Sequence, residues 1–241
     1  MQEHYDDAFW QVAFPKPDWY LDVIPQFTRL EALALQEPDY DKRKAIKDPM
    51  YQAVAMALCE GRIALATEGE DHDAARQPID MVVIHHTKNR PGMSLDLLNG
   101  EHLLRVYAWY YANPSKRDQH FKGQPIWSGH FYQGKQVFWT YHWLFRQDGR
   151  AEHILDDKYI GWHAGNWPVN CRSVALCIDD DLTSSLPSDQ VLDALAGAIR
   201  HHYPQVPLSG IVGHRDVNDQ TVCPGDLFHS EWRDKLLVRL G

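Results

Sequence analysis

Apolar and polar positions follow two rhythms along this chain. Short, nearly unbroken apolar runs occur at Met81 to Thr87, Ser173 to Asp179 and Leu208 to Val212. Runs of that length rich in Val and Ile predict buried strands. Trp139 to Arg146 and Arg150 to Ile154 flank the turn Gln147-Asp148-Gly149, which predicts a hairpin. Helical spacing appears elsewhere. Met50, Val54 and Leu58 fall on one face, as do Leu104, Tyr107 and Tyr111, and then Val191, Leu195, Ile199 and His202. Asn113-Pro114 ends the second of these helices, and Ser188 and Pro204 bracket the third. A last helix is predicted near Ser230 to Arg239. Strands and helices mix, so the predicted architecture is α/β, a mixed central β-sheet flanked by helices.

The charged stretch Glu68 to Pro78 reads as a linker. It divides the chain into an N-terminal extension, residues 1–78, and a main domain, residues 79–241. The extension is predicted to be mostly helical. Thr28 and Glu31 have capping-box spacing, and Asp48-Pro49 looks like an N-cap followed by proline in the first turn. Ahead of them, residues 1–27 are rich in aromatic residues and proline, with Phe9, Trp10, Phe14, Trp19 and Tyr20 beside Pro15, Pro17 and Pro25. That many rings are unfavourable in water, so residues 1–27 are expected to form an irregular arm packed on a domain. Residues 115–137 are polar and glycine-containing and are expected to be a loop, whose Trp127, His130, Phe131 and Tyr132 could wall a groove.

Charge narrows the choice of partners. The chain of 241 residues has 24 basic and 33 acidic side chains and a net charge of -9. No basic face calls for a nucleic-acid partner, and no run reaches the length of a membrane span. The N-terminus is acidic and lacks the basic start and apolar core of an ordinary secretion signal. Synthesis in the cytoplasm is expected, and three settings stay open: recycling in the cytoplasm, release on lysis, and delivery by a dedicated export machine. Cys59, Cys171, Cys177 and Cys223 imply no disulfide framework, because use of one as a metal ligand leaves three.

Chemistry gathers at the ends of two of the apolar runs. One ends in His85-His86. Adjacent strand residues point to opposite faces, so one of the two can face a ligand, and periodicity does not say which. Another apolar run delivers His214, followed nine residues later by Cys223. Imidazole and thiolate suit zinc, and three protein ligands with one open position is a catalytic layout.

Five motifs occur in a fixed order: His85-His86-Thr87; Tyr141-His142-Trp143-Leu144 before Asp148-Gly149; Gly161-Trp162-His163-Ala164-Gly165; Gly213-His214-Arg215; and Cys223-Pro224-Gly225. Over Ile79 to Leu240 the chain resembles the zinc-dependent N-acetylmuramoyl-L-alanine amidases, a superfamily that includes phage lysozyme-type amidases, peptidoglycan-recognition proteins and cytoplasmic anhydro-muropeptide amidases. The resemblance implies a zinc ion held by His85, His214 and Cys223. It also implies hydrolysis of the amide between N-acetylmuramic acid and L-alanine in peptidoglycan or muropeptides. By the same resemblance Tyr141 assists catalysis, His163 lines the substrate cleft, and Thr221 stands where some relatives carry an electrostatic lysine. Cys177 stands where the anhydro-muropeptide branch has a catalytic glutamate, so that branch's acid–base scheme does not carry over. Relatives that only recognise peptidoglycan commonly lose the cysteine ligand. Cys223 therefore favours an enzyme, and Thr221 keeps a non-catalytic peptidoglycan-binding module as the alternative.

Overall fold

The computed structural model describes residues 5–113 and 119–241. In chain order the principal elements are α1 (Asp7–Ala13), α2 (Trp19–Gln36), α3 (Tyr40–Cys59), β1 (Met81–His86), α4 (Leu95–His102), α5 (Trp109–Ala112), β2 (Phe131–Tyr132), β3 (Lys135–Gln136), β4 (Trp143–Phe145), β5 (Ala151–His153), α6 (Trp167–Arg172), β6 (Ser173–Ile178), α7 (Asp189–His202), β7 (Ile211–Gly213) and α8 (Arg233–Leu240). They pack as two compact units. The first comprises Met1–Glu70 and Ser94–Phe138, the second Asp71–Met93 and Trp139–Gly241. These boundaries differ from a single division at residue 78, since the segment 94–138 packs with the N-terminal helices.

The first unit is helical. Of the expected irregular arm over 1–27, residues 1–4 lie outside the described residues and the rest is largely helical: Asp6 caps α1 by accepting from the backbone of Ala8 and Phe9, and α2 starts at Trp19. The expected helix start at Thr28 also fails. Thr28 Oγ1 donates back to the Ile24 carbonyl at 2.9 Å, and the Glu31 carboxylate accepts from the Tyr51 hydroxyl at 2.8 Å instead of reaching back to cap. The pattern thus falls in a helix interior, where a threonine can satisfy its hydroxyl on the preceding turn. Asp48-Pro49 likewise lies inside α3, which is capped by Asp39; Asp48 pairs with Lys44 at 2.8 Å. Burial of Met50, Tyr51 and Val54 on one face offsets the unfavourable mid-helix proline. The core is aromatic, with Trp10, Phe14 and Trp19 in successive edge-to-face contacts at 5.8 and 5.7 Å. The helix expected over 100–112 begins earlier, as α4, and passes through a π-helical turn at Leu103–Ala108 into α5. Within the expected loop 115–137, residues 115–118 lie outside the described residues. The remainder carries a turn at Gln119–Phe121 and the small hairpin β2–β3, so Trp127, His130, Phe131 and Tyr132 belong to the first unit.

The second unit is a five-stranded sheet in the order β5-β4-β6-β1-β7. β1 lies parallel to β6 and β7, β4 lies parallel to β6, and β5 runs antiparallel to β4. The mixed sheet flanked by helices is thus observed. Val82 and Ile84 face one side with Leu176, Ile178, the apolar face of α7 and Trp232 and Leu236. Val83 packs on the other side with Ala164 and Val169. Two strands are shorter than their apolar runs predict. Residues Leu208–Gly210 form a 3-10 turn before β7. Ahead of β4, the His142 ring accepts the Ala175 backbone N–H at 3.0 Å, which takes a donor a continued ladder would have used. Among the described residues, no helix is long and apolar enough to cross a membrane, and none of the four cysteines is in a disulfide.

Candidate metal centre and active site

The alternation of β1 settles which histidine faces which way. His85 shares the face of Val83, and His86 that of Ile84. His86 is buried and its Nδ1 accepts the Leu182 N–H at 2.9 Å; burial pulls its pKa down to about 4. His85, buried at 1% exposure, meets His214 and Cys223, and one ligand atom from each of the three lies within 4.8 Å of the others.

β7 delivers His214 onto a short 3-10 turn, His214–Asp216, with Gly213 as its N-cap. Asp216 ties that turn down: Oδ2 accepts the Gly213 N–H at 2.7 Å, and Oδ1 lies 2.8 Å from His229 Nε2. The Arg215 N–H donates to the Cys223 carbonyl at 2.8 Å, so the turn carrying His214 and the loop carrying Cys223 are joined by backbone. Cys223 precedes a cis peptide bond to Pro224. Gly225 then has φ +126°, and a Cβ there would run into the Leu182 carbonyl, so only glycine lets the loop approach the segment after β6 this closely.

The donors suit a metal. His214 is hydrogen-bonded to the Ala164 backbone, while its Nε2 is buried without a hydrogen-bond partner. A buried bare imidazole nitrogen is an unfavourable end state unless something coordinates it. Burial lowers the His214 pKa, so the ring is a neutral donor. Cys223 Sγ lies 3.8 Å from His85 Nδ1 and also takes a hydrogen bond from the His86 backbone. Burial pushes the Cys223 thiol up to about 12, and a divalent cation beside it would reverse that shift.

The other predicted residues lie around this cluster. The Tyr141 ring centroid is 5.1 Å from that of His85. Thr221 Oγ1 accepts the Cys223 N–H at 3.1 Å. His163 is buried at 5% exposure, with Nδ1 at 3.0 Å from His85 Nε2 and Nε2 at 3.1 Å from Ser173 Oγ; burial holds its pKa well below the ordinary value. Two residues before it, Gly161 lies so close to the segment ahead of β4 that a Cβ there would collide with the Thr140 carbonyl. Cys177 pairs in register with His85 and is fully buried, as a small apolar residue would be. Sequence reasoning missed Ser173, which looks like the polar start of a strand, and the His142 ring, which bridges the Ala175 N–H and the Tyr159 carbonyl at 3.1 Å.

Residues 75–226 match the sequence profile of a known family, N-acetylmuramoyl-L-alanine amidase. The chain belongs to that family. Among solved structures it is similar to the N-acetylmuramoyl-L-alanine amidase LysC from Clostridium intestinale, with 20% identity, 69% of this chain and 87% of that chain covered, and a TM-score of 0.48. It is also similar to the Ph2119 endolysin of a Thermus scotoductus bacteriophage, with 19% identity, 68% and 86% coverage and a TM-score of 0.45. For Drosophila PGRP-LB the identity is 23%, the coverage 70% and 88%, and the TM-score 0.42. A search of curated proteins finds no match.

Proposed function

We propose that this amidase-family chain hydrolyses the amide bond between N-acetylmuramic acid and L-alanine in peptidoglycan or muropeptides, with zinc held by His85, His214 and Cys223. The observation that carries this reading is the convergence of the three donors within 4.8 Å around the unpartnered Nε2 of His214. Two imidazoles and one thiolate would leave a site charge near +1 and a position for substrate. When bound there, zinc supplies Lewis acidity toward an amide carbonyl and makes water a better nucleophile near neutral pH.

The chain's own residues do the rest. Tyr141, beside His85, carries a phenol suited to donate to oxygen charge that develops at the scissile carbonyl. Phenol is a weak base at neutral pH, so its role is orientation and stabilisation. Thr221 holds the Cys223 backbone through its oxygen and has a hydroxyl proton to offer substrate, but no charge. That neutral group, where a cation would stabilise charge more strongly, is what favours the second reading: a module that binds peptidoglycan without cutting it.

Mass spectrometry of the protein incubated with defined muropeptides, with zinc and with a chelator, separates the readings. Separate sugar and stem peptide formed only with zinc is the expected outcome. Intact substrate that nevertheless binds the zinc-loaded protein would overturn hydrolysis in favour of recognition.

A further inference from the structure

Behind His85 lies a buried line of polar groups whose donor and acceptor roles can be worked out from one end. The inference rests on reading His85, His214 and Cys223 as metal ligands. The Val169 carbonyl oxygen can only accept. Ser173 Oγ lies 2.7 Å from it, so the Ser173 hydroxyl hydrogen is committed to Val169. What Ser173 then offers to His163 Nε2, 3.1 Å away, is a lone pair, and Nε2 must carry the hydrogen. His163 is buried between a hydroxyl and another imidazole, with no carboxylate in hydrogen-bond contact to stabilise an imidazolium, so its ring is neutral. Its Nδ1 is therefore an acceptor. His85 Nε2 sits 3.0 Å from that Nδ1 and must be the donor. In a neutral His85 the lone pair is then on Nδ1, the nitrogen that lies 3.8 Å from Cys223 Sγ.

We propose that His163 is a positioning residue which, through Ser173 and the Val169 carbonyl, fixes His85 in the Nε2–H tautomer and presents its Nδ1 to the metal. On this account His163 acts through His85 and does not contact substrate. A ligating histidine whose second nitrogen is held in this way is oriented before the metal arrives and is a better donor. The two histidine ligands would then use opposite nitrogens, because His214 bonds the Ala164 backbone and has Nε2 as its unpartnered atom. The sequence gives no sign of this difference. It arises because β1 brings the His85 ring edge against His163, whereas the turn after β7 lays His214 along a backbone carbonyl.

The test begins with the metal-free, histidine-15N-labelled protein, in which long-range nitrogen–proton correlation reports ring tautomers. The expected result is Nε2–H on both His85 and His163. Nδ1–H on His85 would overturn the proposal, whether or not the protein binds zinc. Zinc affinity is then measured by competition with a chromophoric chelator. His163→Phe should weaken binding about 10- to 100-fold. His163→Gln should restore most of it, since its carboxamide can accept from His85 and donate to Ser173. Unchanged affinity in His163→Phe, or a glutamine variant no better than phenylalanine, would refute the relay. A wild-type protein that binds no zinc would sink the metal reading by itself, while the tautomer spectrum would still decide the relay.

Discussion

Replacement of Cys223 by serine gives the sharpest test of the metal centre, because the burial of Cys223 predicts a proton count. Burial holds the free thiol near a pKa of about 12. At pH 8 its ionisation in the metal-free protein therefore costs about 5 kcal/mol, four pH units at about 1.36 kcal/mol each. If Cys223 is a ligand as proposed, zinc would have to supply that free energy and expel the proton, and the thiol would release about one proton per ion bound. Below the thiol pKa, protons compete with zinc for Sγ, so affinity rises with pH, by about tenfold per unit from this group alone. His214 contributes little at pH 8, since burial already keeps it neutral. Calorimetry in two buffers of different ionisation enthalpy counts the protons. Cys223→Ser keeps the side-chain size nearly constant, but serine stays protonated. It should release one proton fewer than wild type. It should also bind zinc more weakly by more than the about 10- to 100-fold that a residue supporting a ligand is worth. Melting of the metal-free proteins, expected to be similar, excludes unfolding as the cause. Equal proton counts in the two proteins would refute the assignment of Cys223 as a ligand.

Three further perturbations address the groups around the centre and the packing of each unit. Tyr141→Phe should lower kcat by about 100- to 1,000-fold, the usual effect of losing one oxyanion donor, with zinc affinity retained; wild-type turnover would remove the tyrosine from the chemistry. Tyr203→Phe should cost about 1–3 kcal/mol in urea unfolding, because the Tyr203 hydroxyl accepts the buried Trp143 indole N–H at 2.7 Å and donates to Asp157 at 2.8 Å; an unchanged midpoint at constant m-value would contradict that loss. In the first unit, burial pulls His102 down to about 3, so the unfolded chain binds a proton there near pH 6.5 while the folded one does not. Its contribution to stability is complete above about pH 6.5 and falls as the pH drops toward 3, by about 2 kcal/mol at pH 5. His102→Gln should flatten the fall in melting temperature between pH 7 and 5, and an identical fall in both proteins would show that His102 is not its source.

Much of the second unit was legible in the sequence, because its strands are buried on both faces and appear as continuous apolar runs. Met81 to Thr87 and Ser173 to Asp179 match β1 and β6 to within a residue. The order of the motifs around His85, Tyr141, His163, His214 and Cys223 was equally visible, and with it the family that the profile match then established. Local patterns failed where tertiary contacts redirected them. The capping spacing at Thr28 and Glu31 falls inside α2, since a turn-preceding carbonyl and a neighbouring helix take those side chains. Asp48-Pro49 falls inside α3, because burial of one helical face outweighs the proline. The membership of residues 94–138 in the helical unit depends on packing between segments far apart in sequence, which periodicity does not encode.

At the centre itself, the sequence determined which atoms are available: two imidazoles, a thiol, a phenol and a hydroxyl in a known order. Only the fold decided how they are used. Strand alternation left His85 or His86 open, and the side of the sheet on which Val83, Ala164 and Val169 pack put His85 with His214 and Cys223. Burial, which is a property of the whole tertiary structure, set the protonation of Cys223 and His214. The contacts of His163 with His85 and Ser173 join three separate segments, so no reading of local sequence could supply them.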